Sequence, residues 1–485
     1  MHSITRSLTI LSLSLILLSL AGCPNGNPKS GDNSVANNRE IAIAVPKGRG
    51  FPTAWEGNLG EWSARTGGKP TLKEVENSSA EKWDLGVMPL GSYPELVLEG
   101  KIAPIPKVSL GENQLDWGRI FQGLREKGGE TSSGPTVLPI SAPVLVLYYR
   151  ADLLEAAKLS PPVTWEDYGK LLADLPKWAP GLKAVEPWGP EFRGTMFLAR
   201  AACYGKHPDH STFLIDSETG DPLIGSPAFQ RAWKIAQEQI GKLSPDVMKM
   251  TPADCRKAIL AGEAALAITQ EFPNSAVETD SAQPNTPVKR DEKAKLGFIR
   301  LPGTKDVYNP TLRAWENSKE QQGHRVTLIG YSGLCAAVAQ KTEEAARPIA
   351  WSLITTLVLE ENAQMPEGTL SLTRETDLGR GDQLTGPELN PQERGSYLDA
   401  VARSLRDRQL TMQLPVPHRG KFMASLNQHL TTALTDLKIP PEELVKRVEA
   451  DWKKLIVEIG PTQVRDCCRI SLGLRPLGDR KLATE

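Results

Sequence analysis

The segment Thr136–Leu159, TVLPISAPVLVLYYRADLLEAAKL, decides how the rest of the chain is read. Its first half is rich in Val, Leu and Tyr, the composition of a strand buried on both faces. Pro139 and Pro143 interrupt that run. Proline removes a ladder donor, so these positions predict an edge, a kink or a crossover. The period then changes: Ala151–Leu159 reads as a short helix, stopped by Pro161 and Pro162. Thr164-Trp165-Glu166-Asp167 reads as the next helix start, a Thr cap with carboxylates at the positive helix end. An apolar segment that leaves one unit and at once nucleates another predicts a hinge between two lobes. A buried strand within a single α/β domain is the plainer alternative.

Before the hinge, Glu40–Val45 alternates like a strand, and a glycine-punctuated loop through Arg49 leads into a helix over Trp55–Ala64. Trp83–Leu90 is a second strand, Tyr93–Glu99 a short helix, and Ile102–Ile105 a return to the sheet. This alternation predicts an α/β layer with a parallel sheet, whose ligands sit beyond the strand ends, near Arg49, Gly91 and Ser92. Beyond the hinge, helices are predicted over Thr195–Cys203, Pro227–Gly241, Asp254–Leu260, Thr342–Gln364, Phe422–Leu437 and Pro441–Ile456. Ala264–Thr269, Leu296–Leu301 and parts of Val326–Ala339 read as strands. Trp55, Trp62 and Trp165 occupy helical positions and read as core. Gly379–Glu393 reads as turns, and the tail after Ile459 carries no legible pattern.

With 485 residues the chain exceeds one comfortable core. Lys and Arg number 57 against 58 Asp and Glu, so there is no basic excess of the kind nucleic acid requires. The N-terminus carries Arg6, the Leu-rich run Leu8–Leu20, and then Leu20-Ala21-Gly22-Cys23. That run is too short to span a bilayer and fits a secretory segment. Small residues before Cys23 resemble a bacterial lipobox, with residues 1–22 as signal peptide and Cys23 as the lipidated mature N-terminus. Residues 23–38 then form a flexible tether that anchors the protein to the membrane. Disulfides are permitted in such a compartment, but the five remaining cysteines, Cys203, Cys255, Cys335, Cys467 and Cys468, are odd in number and their pairing is not legible.

Catalytic signatures are missing: there is no GxSxG elbow, HExxH, P-loop or CxxC. Cys203 with His207 and His210 is a weak metal spacing, better read as a solvated loop. Neither a metal nor a cofactor is expected.

Four stretches in order resemble the maltose-binding-protein-like, family 1 solute-binding proteins of bacterial ABC importers, over about residues 39–460. They are Leu145–Leu172, with its Tyr-x-Arg-x-Asp-Leu-Leu and double proline, Ile259–Phe272, ILAGEAALAITQEF, Leu296–Gly303, LGFIRLPG, and Tyr331–Gln364. The resemblance implies an α/β, type II-like periplasmic-binding-protein fold of two lobes, crossing hinge segments and C-terminal helices. Lobe one would be 39–140 plus 273–338, lobe two 146–268 plus 343–460, and 461–485 a tail. It implies no enzyme and no catalytic residue. An aromatic ring matches the apolar face of a sugar, while carboxylate, amide and guanidinium groups satisfy its hydroxyls. Glu186-Pro187-Trp188 resembles the family's Glu-Pro-Tyr, making Glu186 a hydroxyl acceptor and Trp188 a stacking platform. Phe272, beside Glu271, corresponds to a stacking tryptophan, and Arg49 to a sugar-binding lysine. Tyr331 and Ser332 complete the expected contacts. The family's stacking Trp and its Arg fall at Met423 and Asn427, which argues against maltodextrin.

The expectation is a monomeric, lipid-anchored, extracytoplasmic protein that captures a sugar or similar polar solute and presents it to ABC permease subunits, with no nucleic-acid partner. A membrane-anchored polysaccharide-acting enzyme using Glu186 and Glu271, and a sensor docking a signalling receptor, are the rival readings.

Overall fold

The computed structural model describes residues 36, 38–76, 82–112, 114–270, 290–318, 323–330, 333–366, 369, 371–385, 388–436 and 439–478. Two mixed sheets organise them. The first has strand order β2-β1-β3-β9-β4, formed by β1 (Glu40–Pro46), β2 (Lys69–Val75), β3 (Leu85–Pro89), β4 (Leu138–Ser141) and β9 (Leu334–Val338). The second has order β8-β5-β7-β6, formed by β5 (Leu145–Arg150), β6 (Lys183–Val185), β7 (Ala264–Gln270) and β8 (Leu296–Arg300). The first sheet is parallel across β2-β1-β3, but β9 runs antiparallel to β3 and β4 because it returns from the other lobe. The expected all-parallel layer is therefore mixed.

The apolar segment does divide as expected: β4 closes the first sheet, β5 opens the second, and Ala142-Pro143-Val144 crosses between them. Pro143 stands where no ladder donor is required. Ala142 N–H, outside both sheets, donates to Ser371 Oγ at 2.6 Å, so the buried crossing leaves no orphan there.

Lobe one packs α1 (Phe51–Thr66), α2 (Tyr93–Leu98) and α3 (Gln122–Gly128) around its sheet. Trp55 and Trp62 of α1 are fully buried, as their spacing predicts. Lobe two carries α4 (Trp165–Ala173), α5 (Arg193–Gly205), α6 (Pro227–Ile240), α8 (Pro391–Leu405), α9 (Arg419–Thr435) and α10 (Pro441–Ile459). Two expected boundaries are corrected. Leu296–Arg300 pairs with β5 in lobe two, since Phe298 meets the rings of Tyr148 and Tyr397 edge-on. Conversely α7 (Arg347–Ile354) packs on β9 in lobe one, held to α1 by Trp62 Nε1–H to Ser352 Oγ at 3.3 Å. Beyond Ile354 the long predicted helix becomes a π-helical turn over Thr355–Leu359. Ile102–Ile105 contributes only the bridge from Ile102 to Ala339.

Several helices went unread, among them α3, α8 and the tail helix. α8 begins inside the stretch read as turns, with Asn390 Oδ1 accepting from Gln392 and Glu393 N–H at 3.0 Å each. The Asn-Pro-x-Glu string is a legible start signal. The tail forms α11 (Pro461–Ser471), introduced by Gly460 at φ 115° and Pro461 at its first position.

The α4 start is a capping box: Thr164 Oγ1 accepts from Asp167 N–H at 3.2 Å, and Asp167 Oδ2 accepts from Thr164 N–H at 3.2 Å. Burial pushes the Asp167 carboxyl up, but Thr164 and Lys170 outweigh it and hold it below its ordinary 3.8. Thr164→Ala should lose about 1 kcal/mol in urea unfolding at pH 7. A carboxyl depressed on folding contributes stability at neutral pH that is lost as pH falls through its folded value, so the deficit should shrink below pH 4.

Candidate functional site

The strongest sequence candidates, Glu186 and Trp188, follow β6 and turn inward. Both are 0% exposed. Arg200 Nη2 of α5 lies 2.7 Å from each Glu186 oxygen, and Trp188 Nε1–H donates to Glu186 Oε2 at 2.8 Å. Arg200 Nε–H reaches Gln239 Oε1 of α6 at 3.1 Å, while its guanidinium sits 4.2 Å above the Trp165 ring of α4. Trp188 meets Trp233 edge-on at 6.4 Å. This is a satisfied ion pair inside lobe two, with partners supplied by α4, α5, α6 and the segment after β6. Glu186 is therefore not a hydroxyl acceptor here, nor Trp188 a stacking platform: packing covers the indole on both faces.

The lobes meet elsewhere. Beyond β3, Leu90-Gly91-Ser92 turns into α2, and Gly91 is buried against Arg419 at the start of α9. A Cβ at Gly91 would collide with Arg419 Nη1, so glycine is what admits the guanidinium. Met412 lies next to the same point, and its neighbour Gln413 exchanges hydrogen bonds with Thr195 Oγ1 of α5 at 3.2–3.3 Å. Gln413 also approaches Met423 Sδ at 3.1 Å, and Asn427 Oδ1 accepts from Gly194 N–H at 2.8 Å. Met423 and Asn427, the two positions where aromatic and Arg were missing, thus face α5. Gly91 and Arg419 bring the lobes together at a buried contact, Gln413, Thr195 and Met423 continue it towards α5, and half-buried Ser92 follows Gly91 in the turn.

Beside it, Lys127, Ser211, Thr212, Thr411, Met412 and Ser471 line an interlobe cavity of about 30 Å³, room for roughly one water. Burial, and then the Lys127 charge, pull the nearby Lys206 ammonium down to about 8. On the other flank Gly123 of α3 abuts the Asp407 carbonyl, and Arg374 pairs with Asp116 at 3.1 Å. The junction is closed by the chain's own side chains.

Arg49 is half-buried in the loop after β1 of lobe one, whereas Glu186 and Trp188 follow β6 of lobe two. Glu271, Phe272, Tyr331, Ser332 and Cys23 lie outside the described residues. Arg419, Thr195 and Gln413 were missed; Arg419 stands only four residues before Met423, the position already aligned with a family contact. Of the metal alternative's positions, Cys203 Sγ–H points at the Pro302 carbonyl, 3.6 Å away, and His207 Nε2 pairs with Glu316 at 3.2 Å. Burial raises the Cys203 thiol to about 11. Among the described residues no group of three or more His, Cys, Asp or Glu is placed to hold a metal. Cys203, Cys255, Cys335, Cys467 and Cys468 are buried free thiols.

Residues 69–368 match the family model described as bacterial extracellular solute-binding protein. The chain belongs to that family. Its members bind solutes and are not enzymes, which removes the polysaccharide-acting alternative. The fold is shared with maltose-bound MalE3 of T. maritima, at 16% identity and TM-score 0.56, over 86% of this chain and 99% of that one. It is shared also with the sugar-binding protein MalE of Xanthomonas citri, at 14% identity and TM-score 0.59, over 87% and 100%. A solute-binding protein of Agrobacterium radiobacter K84 in complex with ribitol matches at 14% identity and TM-score 0.56, over 87% and 99%. The fold is thus that of the two-lobe sugar-binding proteins, and an extracytoplasmic location follows from the family. No helix among the described residues is long and apolar enough to cross a membrane.

Because the Glu186–Arg200 pair is fully enclosed, Arg200→Met should strand a buried carboxylate and lose about 3–5 kcal/mol in guanidinium unfolding. Trp188→Ala should lose a similar amount by leaving a cavity, while solute affinity of the folded fraction stays unchanged by calorimetry.

Proposed function

We propose that this protein captures a sugar or polyol between its lobes and delivers it to the permease of an ABC importer. The observation that carries the reading is the polar junction at Gly91 and Arg419 between two α/β lobes, in a chain of the extracellular solute-binding family. Proteins of similar fold are described with maltose, ribitol and alpha-D-tagatose bound, which supports a polyhydroxylated ligand.

In this reading Gly91, Ser92, Thr195, Gln413 and Arg419 supply the hydroxyl-binding groups, with Arg49 at the lobe-one rim. Phe272, two residues beyond β7, and Tyr331 supply the aromatic faces, with Glu271 and Ser332 beside them. Arg and amide groups satisfy sugar hydroxyls without leaving unpaired polar atoms in a closed cleft. Solute contacts made only with the lobes together shift the open–closed equilibrium towards closure, the state a permease would recognise. Cys23 is the lipid anchor and the tether ends before Ala36, which is buried against lobe one while Asn38 N–H donates to the Gly67 carbonyl at 2.9 Å, with the protein acting as a monomer.

A thermal-shift screen of the protein against mono-, di- and oligosaccharides and polyols tests this. A ligand at 100 times its Kd should add about 2.7 kcal/mol of stability, several degrees in a protein of this size. Arg419→Ala should abolish the shift. Silence across the panel, with the protein folded, would overturn the sugar or polyol assignment. Separately, Cys23→Ser should move the protein from the membrane fraction to the soluble fraction.

A further inference from the structure

The tail helix α11 is buried in a way a surface helix is not. A helix lying on one body hides a single stripe and exposes the rest. In α11 every residue from Val464 to Ser471, more than two turns, is buried. Burial all round requires cover on opposite sides, and here the covers come from different lobes.

On one side α11 packs along α2 of lobe one and touches the Glu130–Thr131 strand next to it. The carboxylates of Glu95 and Glu99, at α2 and its end, act electrostatically on Cys467. On the other side it is tied to the segment after α5 in lobe two. Cys468 Sγ–H approaches the Ile215 carbonyl at 3.5 Å. Arg469 Nη1–H donates to the Ser217 carbonyl at 3.0 Å and to Glu218 Oε1 at 2.5 Å. Gly220 lies against the Arg465 stem, where a Cβ would come within 3.1 Å. The charges this burial encloses are satisfied locally: Arg465 pairs with Asp466 at 2.9 Å, and Asp466 accepts from the Leu477 and Gly478 amides at 3.1 and 2.8 Å.

We propose that α11 is an interlobe strap, bonded to lobe two and packed on α2 of lobe one, that restrains separation of the lobes. The proposal rests on the two-lobe architecture and not on the identity of the solute. Among the described residues, the hydrogen bonds that join α11 to a lobe reach lobe two, so opening peels α11 from α2 while its lobe-two bonds hold. Any motion about the Ala142–Val144 crossing slides α2 past α11, so the strap sets how far the cleft opens before solute arrives.

The test measures interlobe distance by pulsed electron–electron spin resonance in the solute-free full chain. Spin labels go on Val108→Cys in lobe one and Val457→Cys in lobe two, in a Cys23→Ser background. Both positions are well exposed, at 71% and 74%, whereas the five described native thiols are buried and resist labelling. Cys467→Asp sets a third carboxylate against Glu95 and Glu99. It should lengthen and broaden the distance distribution, while Cys467→Ser keeps the parent's. A chain ending at Gly460 removes the strap and should give the same long distribution. If Cys467→Asp loses its far-UV circular dichroism, the shortened chain decides, and Arg469→Ala, which frees the lobe-two side, decides if that chain also unfolds. Unchanged distributions in the folded variants would overturn the strap. No solute enters this measurement, so its outcome is independent of the sugar screen.

Discussion

The bond from Ala142 N–H to Ser371 Oγ marks the constraint on which the architecture depends. A chain that passes from one buried sheet to another must leave both ladders, and inside the protein an unbonded amide costs about 1–3 kcal/mol. Here the crossing is three residues long. Pro143 brings no donor, Ala142 finds a serine hydroxyl, and the lobes are thereby joined without a strand running through both. The chain passes between the lobes again from β8 to β9 and from α7 to α8, so their relative position is set by these joins together with the contacts across the junction.

Those contacts depend on glycines that admit a guanidinium in one place and backbone carbonyls in the other. Arg419 reaches lobe one only because position 91 has no side chain, and α3 approaches the 405–407 turn only because position 123 has none. Close backbone approach of this kind favours a few discrete arrangements over a continuum, since a displaced guanidinium leaves both its space and its partners unfilled. The strap on α2 adds a third restraint of a different type, a helix enclosed by both lobes.

Glu186 and Trp188 show how a binding motif and a core motif share one vocabulary. An indole with a carboxylate two residues away stacks on sugar when exposed, and in a core the carboxylate becomes the acceptor that lets the indole N–H be buried. What distinguishes the cases is Arg200, fourteen residues on, which turns towards Glu186 only when α5 packs on α4 and α6. Sequence spacing gave no hint of that closure. The rest of the junction was hidden for the same reason: Thr195, Gln413 and Arg419 lie far apart in the chain and share no periodicity, so their meeting is a consequence of lobe packing.

By itself the sequence determined the α/β class, the hinge within Thr136–Leu159, the buried tryptophans and the Thr164 cap. Each is encoded by neighbours a few residues apart: apolar runs, proline positions and helical spacing act locally on the backbone. Tertiary structure alone decided which lobe claims Leu296–Arg300 and Arg347–Ile354, because strand pairing and helix docking depend on partners 146 to 290 residues distant. It also decided that the tail is a helix enclosed by both lobes. Arg465, Asp466 and Arg469 are tolerable in a buried helix only where partners from elsewhere in the fold satisfy them.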